Sequence, residues 1–124
     1  MRENFAELHV PSSKVITIPF TLTTTPQVLY TGNSYRRPTL ANIHLCNSHS
    51  GGGDTFSIHI NNGTADFYVA FEEAIGSGNR TTIQGSELTF LAMEDGWTVN
   101  GVSNHDDHVD GFLTIIEAEG RRVS

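Results

Sequence analysis

The sequence predicts an all-β domain, an antiparallel β-sandwich of jelly-roll-like type with about eight or nine short strands and an extended N-terminal arm. Three observations carry that prediction. Apolar and polar residues alternate at the two-residue period of a half-buried strand. Clusters of Gly, Asn, Asp and Ser interrupt the chain at roughly the 8–12-residue spacing of sandwich strands. No segment carries the apolar stripe of an amphipathic helix.

Taken in order, residues 1–13 show no clean period and end in Pro11-Ser12-Ser13, so they read as an arm ordered against a neighbour. In residues 14–22 the apolar Ile16, Ile18, Phe20 and Leu22 share one face. Pro19 cannot donate to a ladder and places that strand at an edge or a bulge. Residues 27–31 form a second short strand, closed by Gly32-Asn33-Ser34.

Residues 40–47 and 55–61 read as a hairpin across Ser48-His49-Ser50-Gly51-Gly52-Gly53-Asp54, whose glycines permit any reversal. Pairing odd residues of the first strand with even residues of the second sets Ala41, Ile43 and Leu45 beside Phe56, Ile58 and Ile60. The other face then carries Asn42, His44 and Cys46 with Thr55, Ser57 and His59, and makes His44 and His59 diagonal neighbours. Residues 66–75 alternate with Phe67, Val69 and Phe71 inward, and Glu72-Glu73-Ala74 suits one helical turn. Further strands cover residues 81–84, 87–92, 97–103 and 108–119, with turns at Gly85-Ser86, Glu94-Asp95-Gly96 and residues 104–107. In the last strand Phe112, Leu113, Ile115 and Ile116 occupy both parities, as in a central strand covered on two sides. The organisation is thus an arm (1–13), a sandwich domain (14–120) and an exposed tail (121–124).

Composition narrows the function. The 124 residues suit one domain, and 14 acidic against 7 basic side chains give a net charge of -7. That sign opposes phosphate neutralisation, so nucleic acid is excluded as a partner. With one cysteine, Cys46, no disulfide forms within the chain. The first residues lack an apolar leader and no run is long enough for a membrane span, so the expectation is a chain made in the cytoplasm without a membrane partner. Asn62-Gly63-Thr64 and Asn79-Arg80-Thr81 read as turns.

No motif supports catalysis. His105 and His108 with Asp107 or Asp110 supply nitrogen and oxygen donors, but their spacing in a turn matches no specific metal motif. Cys46 has no visible base or oxyanion donor. Glu72-Glu73 and Glu94-Asp95 are adjacent and point apart on a strand, and the triple glycine does not open a helix. The reading therefore assigns no catalytic residue, no metal and no cofactor. Six of the seven basic residues are arginines, the basic type enriched at interfaces. The candidates for protein contact are Phe5, Leu8 and Val10 in the arm, Tyr35, Arg36 and Arg37 in the second loop, and His49.

The run Leu40-Ala41-Asn42-Ile43-His44-Leu45-Cys46-Asn47, then Asp54-Thr55-Phe56-Ser57-Ile58-His59-Ile60, then Ile83-Gln84-Gly85-Ser86-Glu87-Leu88, is similar to small structural proteins of tailed bacteriophage virions. Glu94-Asp95-Gly96-Trp97 and residues 111–117 fill the turn and the closing strand of that pattern, which spans residues 39–119. The resemblance implies a non-enzymatic β-sandwich built into a virion that is assembled in the host cytoplasm. A capsid decoration or cement protein fits it best, and a tail, neck or baseplate accessory protein is the alternative. The implied partners are the major capsid protein, other virion proteins and sister copies. A competing expectation is a carbohydrate-binding host-recognition module, using Trp97, Tyr35 and residues 104–107.

Overall fold

The computed structural model describes residues 13–33, 35–88 and 91–118. The expected arm, apart from Ser13, and the expected tail lie outside the described residues, and with them Phe5, Leu8 and Val10. Nine strands and one helical turn follow in order: β1 (Ser13–Thr21), β2 (Gln27–Thr31), β3 (Thr39–Asn47), β4 (Asp54–Asn61), β5 (Asp66–Ile75), β6 (Arg80–Ile83), α1 (Gly85–Leu88), β7 (Leu91–Ala92), β8 (Thr98–Ser103) and β9 (Val109–Ala118).

One sheet runs β1-β9-β3-β6, with β7 also on β3, and the other runs β2-β8-β4-β5. Every pairing is antiparallel. Except for the β4–β5 hairpin and the β6–β7 pair on one edge of β3, the chain changes sheet at each connection, and the two interleaved Greek keys make a jelly roll. The core lies between the sheets. Phe20, Leu40, Ile43, Leu45, Leu113 and Ile115 from one sheet meet Phe56, Ile58, Ile60 and Val99 from the other. Pro19 stands on β1, an edge strand, as its missing N–H requires.

Several local expectations are corrected. β3 and β4 do not pair: β3 lies against β9, β6 and β7, whereas β4 lies between β5 and β8. Their apolar faces meet across the sandwich instead of side by side, an arrangement that satisfies the same alternation. His44 and His59 consequently belong to different sheets. His44 bonds Thr82 (Nδ1 to Oγ1, 3.0 Å) and stacks on Phe112, while His59 reaches Asp66 at 3.4 Å and leans on Tyr68.

On β5, Phe67 and Phe71 point outward and are 56% and 60% exposed, while Ala70 and Ile75 fill the inner positions. The register against β4 shifts twice near Ile58, and Glu72 takes a positive φ of 45°. These irregularities move the strand's buried parity. The strand also runs through Glu72 and Glu73, where a helical turn was expected, with the Glu72 amide donating to Ser57 Oγ at 2.8 Å. The helical turn sits instead at Gly85–Leu88, across the turn expected at Gly85-Ser86 and the start of the strand expected over 87–92; among the described residues of that strand, Leu91–Ala92 pairs with β3. Finally, β9 is central in its sheet, but among the described residues its outer face is left uncovered at Phe112, which is exposed.

Candidate functional site

The loops 22–26, 48–53, 76–79 and 104–108 meet at one end of the sandwich. Backbone bonds tie them together: Ser48 N–H to His108 O (2.9 Å), Gly78 N–H to Asn47 O (2.9 Å), Asp107 N–H to Leu22 O (3.0 Å) and Ser103 N–H to Thr23 O (2.9 Å). Asp106 Oδ1 accepts the Thr24 amide at 2.7 Å, fastening the first loop to the last.

Asp54 lies at the centre of this end. It opens β4 on the same parity as Phe56 and Ile58, so its carboxylate is driven inward and its side chain is 1% exposed. A buried carboxylate needs donors. His105 Nδ1 lies 2.5 Å from Oδ1, and His108 Nδ1 lies 3.1 Å from Oδ2. Asn47 Nδ2, at the inward end of β3, donates to Oδ2 at 3.0 Å and to the Ile75 carbonyl at 3.0 Å. A carboxylate only accepts, so both imidazoles present their Nδ1 protons to it. His49 completes the cluster. Its ring stacks on His108 with centroids 3.6 Å apart, and His105 also stacks on His108, at 4.9 Å. The Gly51 amide donates to His49 Nδ1 at 3.0 Å.

Burial raises the Asp54 pKa, but the bonds from His105, His108 and Asn47 and the charge of His108 outweigh it and hold the group below its ordinary 3.8. A carboxyl with a depressed folded-state pKa stabilises the fold at pH above its unfolded value and loses that contribution as pH falls through the folded value. Wild-type protein should therefore lose stability below about pH 4, and Asp54→Asn should flatten that part of the acid limb. Urea melts at successive pH values check this, and an acid limb identical in the two proteins contradicts it.

The sequence had placed His105 and His108 with Asp107 or Asp110. The structure makes Asp54, some fifty positions earlier, their carboxylate. Asp107 is exposed with a positive φ of 65°, and Asp110 stands on β9 opposite Cys46. Cys46 lines an open hollow on the outer face with Pro19, His44 and Phe112, away from the histidine cluster. Among the described residues, the Ser103 and Ser48 hydroxyls bond the backbone carbonyls of His105 and His108, and none bonds either ring as a nucleophile would its base.

The opposite end carries the other candidates. Tyr35 is 72% exposed, and Arg37 takes a positive φ of 47°. Arg36 faces Glu117 at 3.6 Å, so its charge serves a buried carboxylate of its own chain. Tyr30 donates to the same Glu117 at 3.1 Å. Burial first, then that bond, push its phenol up to about 12. Trp97 packs against the core beside Gly32, whose amide donates to the Trp97 carbonyl at 2.7 Å. Trp97 and Tyr35 thus stand at one end and residues 104–107 at the other, so they do not form one sugar-binding surface.

No protein-family model matches the sequence, and no curated protein matches it. Solved structures do resemble the fold. A chain from Bacillus endospore appendages, described as disulfide-linked pili, aligns over 91% of this chain and 90% of its own, with 13% identity and a TM-score of 0.51. A chain from the capsid of Helicobacter pylori bacteriophage KHP30 aligns over 92% of this chain and 94% of its own, with 12% identity and a TM-score of 0.50. A chain of the T13 IBDV viral particle matches 87% of this chain but only 31% of its own length, with 13% identity and a TM-score of 0.51. At such identities the likeness concerns the backbone alone: this chain has the fold of those subunits, a single jelly roll.

Proposed function

We propose that this chain is a structural subunit of a virus particle. Within that class we propose a decoration or cement protein of a tailed-phage capsid, with a tail, neck or baseplate position as the alternative. The observation that carries the reading is the outer edge of β5. Phe67, Tyr68 and Phe71 are each more than half exposed there, and Phe71 meets Tyr68 edge-on at 4.9 Å. Among the described residues β5 pairs on one side, with β4, and an edge strand with a row of open aromatics invites pairing and is normally blunted by charge or cover. A neighbouring subunit supplies such cover. The shared fold of capsid and pilus chains supports the same reading by analogy.

The proposed partners are the major capsid protein, other virion proteins and sister copies, and residues 1–12, the expected arm without the Ser13 that pairs in β1, are proposed to add a strand to a neighbour. Many weak copies sum by avidity. Purified protein should bind particles that lack it at a defined stoichiometry. The double variant Phe67→Ser/Phe71→Ser should bind at least about tenfold more weakly, the loss of two modest aromatic anchors. Deleting residues 1–12 should weaken binding further. Wild-type protein that stays monomeric and leaves the particles bare would overturn the proposal.

A further inference from the structure

The structure assigns a second property to the histidine end: we propose that His49, Asp54 and His108 form a site for a first-row divalent transition metal ion of the zinc type. One donor atom from each of the three lies within 4.8 Å of the others. Nitrogen from two imidazoles and oxygen from one carboxylate is a donor set that zinc accepts, and that magnesium or calcium, which prefer oxygen alone, do not.

The surroundings suit such an ion. Asp54 is fixed on its other oxygen by His105 and on its own ligating side by Asn47, so the carboxylate is held in place. Hydrogen bonds that orient ligands in this way are a regular feature of metal sites. A tetrahedral site needs ligand atoms about 3.3 Å apart, so the cluster must contract. His49 is the ring placed to do so, since the Gly51 amide on its Nδ1 belongs to its own loop and moves with it. It is exposed, and it sits in the loop with Gly51, Gly52 and Gly53, where Gly52 has a φ of 134°. Closing would fan its ring away from the stack on His108 and release the proton of any ring nitrogen that becomes a ligand. The ion would then bind β4, the loop 48–53 and the loop 104–108 into one unit, joining both sheets at this end. The site does not depend on whether the chain assembles into a particle.

The test uses full-length, untagged protein stripped with EDTA and dialysed. Titration with zinc chloride followed by calorimetry should show one equivalent bound with micromolar affinity or tighter, and the melting midpoint should rise with zinc concentration. Cobalt should give the visible absorption of a four-coordinate centre. His49→Ala, an exposed position, should fold normally and bind zinc at least about tenfold more weakly, on the scale by which site residues alter affinity. His59→Ala, on the outer face of β4, should bind as wild type does. Absence of a one-equivalent zinc isotherm, affinity no better than millimolar, equal affinity in His49→Ala, or equal loss in His59→Ala would each overturn the site.

Discussion

Phe56→Ala should cost about 3–5 kcal/mol in unfolding free energy, the usual range for removing a fully buried phenylalanine. Phe56 is 1% exposed near the start of β4, which is flanked on both sides by paired strands. The surrounding layers are held by two ladders and cannot collapse into the void. The loss is a large fraction of the about 5–15 kcal/mol by which a domain is stable. Phe67→Ala is the matched control. That ring is exposed on the edge strand, so its removal should change stability by no more than about 0.5 kcal/mol. Denaturant melts of the two variants measure the difference directly. Equal losses would mean that β5 buries Phe67 and that its register is wrong.

Gly111→Ala should be nearly as severe, at about 3 kcal/mol or more, because the obstacle is backbone. A Cβ on Gly111 would fall 1.8 Å from the His44 carbonyl oxygen and 3.0 Å from Leu45 Cα. No rotamer change relieves that contact. β9 would have to leave β3, and β9 also carries β1, so the ladder is weakened on both sides. Gly96→Ala provides the contrast. Its φ is 81° but nothing lies within 4 Å of the added carbon, so only the left-handed conformation is penalised, at about 1–2 kcal/mol. The order Gly111 above Gly96 in melting experiments separates crowding from backbone strain, and the reverse order would contradict the strand contact.

Part of the histidine site was legible before any fold was known. His105 and His108 are three positions apart in a turn, and their convergence follows from local geometry. Asp54 was less visible, yet its signal was present. It shares the parity of Phe56, Ile58 and Ile60, and Asn47 shares that of Ile43 and Leu45, so both polar groups were bound to point inward at strand ends. A carboxylate on an inward parity has to find donors. Which histidines it found depended on the loop 104–108, more than fifty residues further along the chain. Arg36 shows the same limit: its place in a loop suggested contact with a partner protein, and the fold set it beside Glu117 of its own chain.

The residue order alone determined that the chain makes strands, that Pro19 marks an edge or a bulge, and that Ile43, Leu45, Phe56, Ile58 and Ile60 are core. These follow from a two-residue period, which acts over neighbours in the chain. Only the tertiary structure decided who pairs with whom. Apolar faces are satisfied equally by lying beside one another in one sheet or opposite one another across two, so the alternation of β3 and β4 could not choose between a hairpin and a crossing. Hydrogen bonds to β8, β9 and β5 made that choice, and with it brought three histidines to one buried carboxylate.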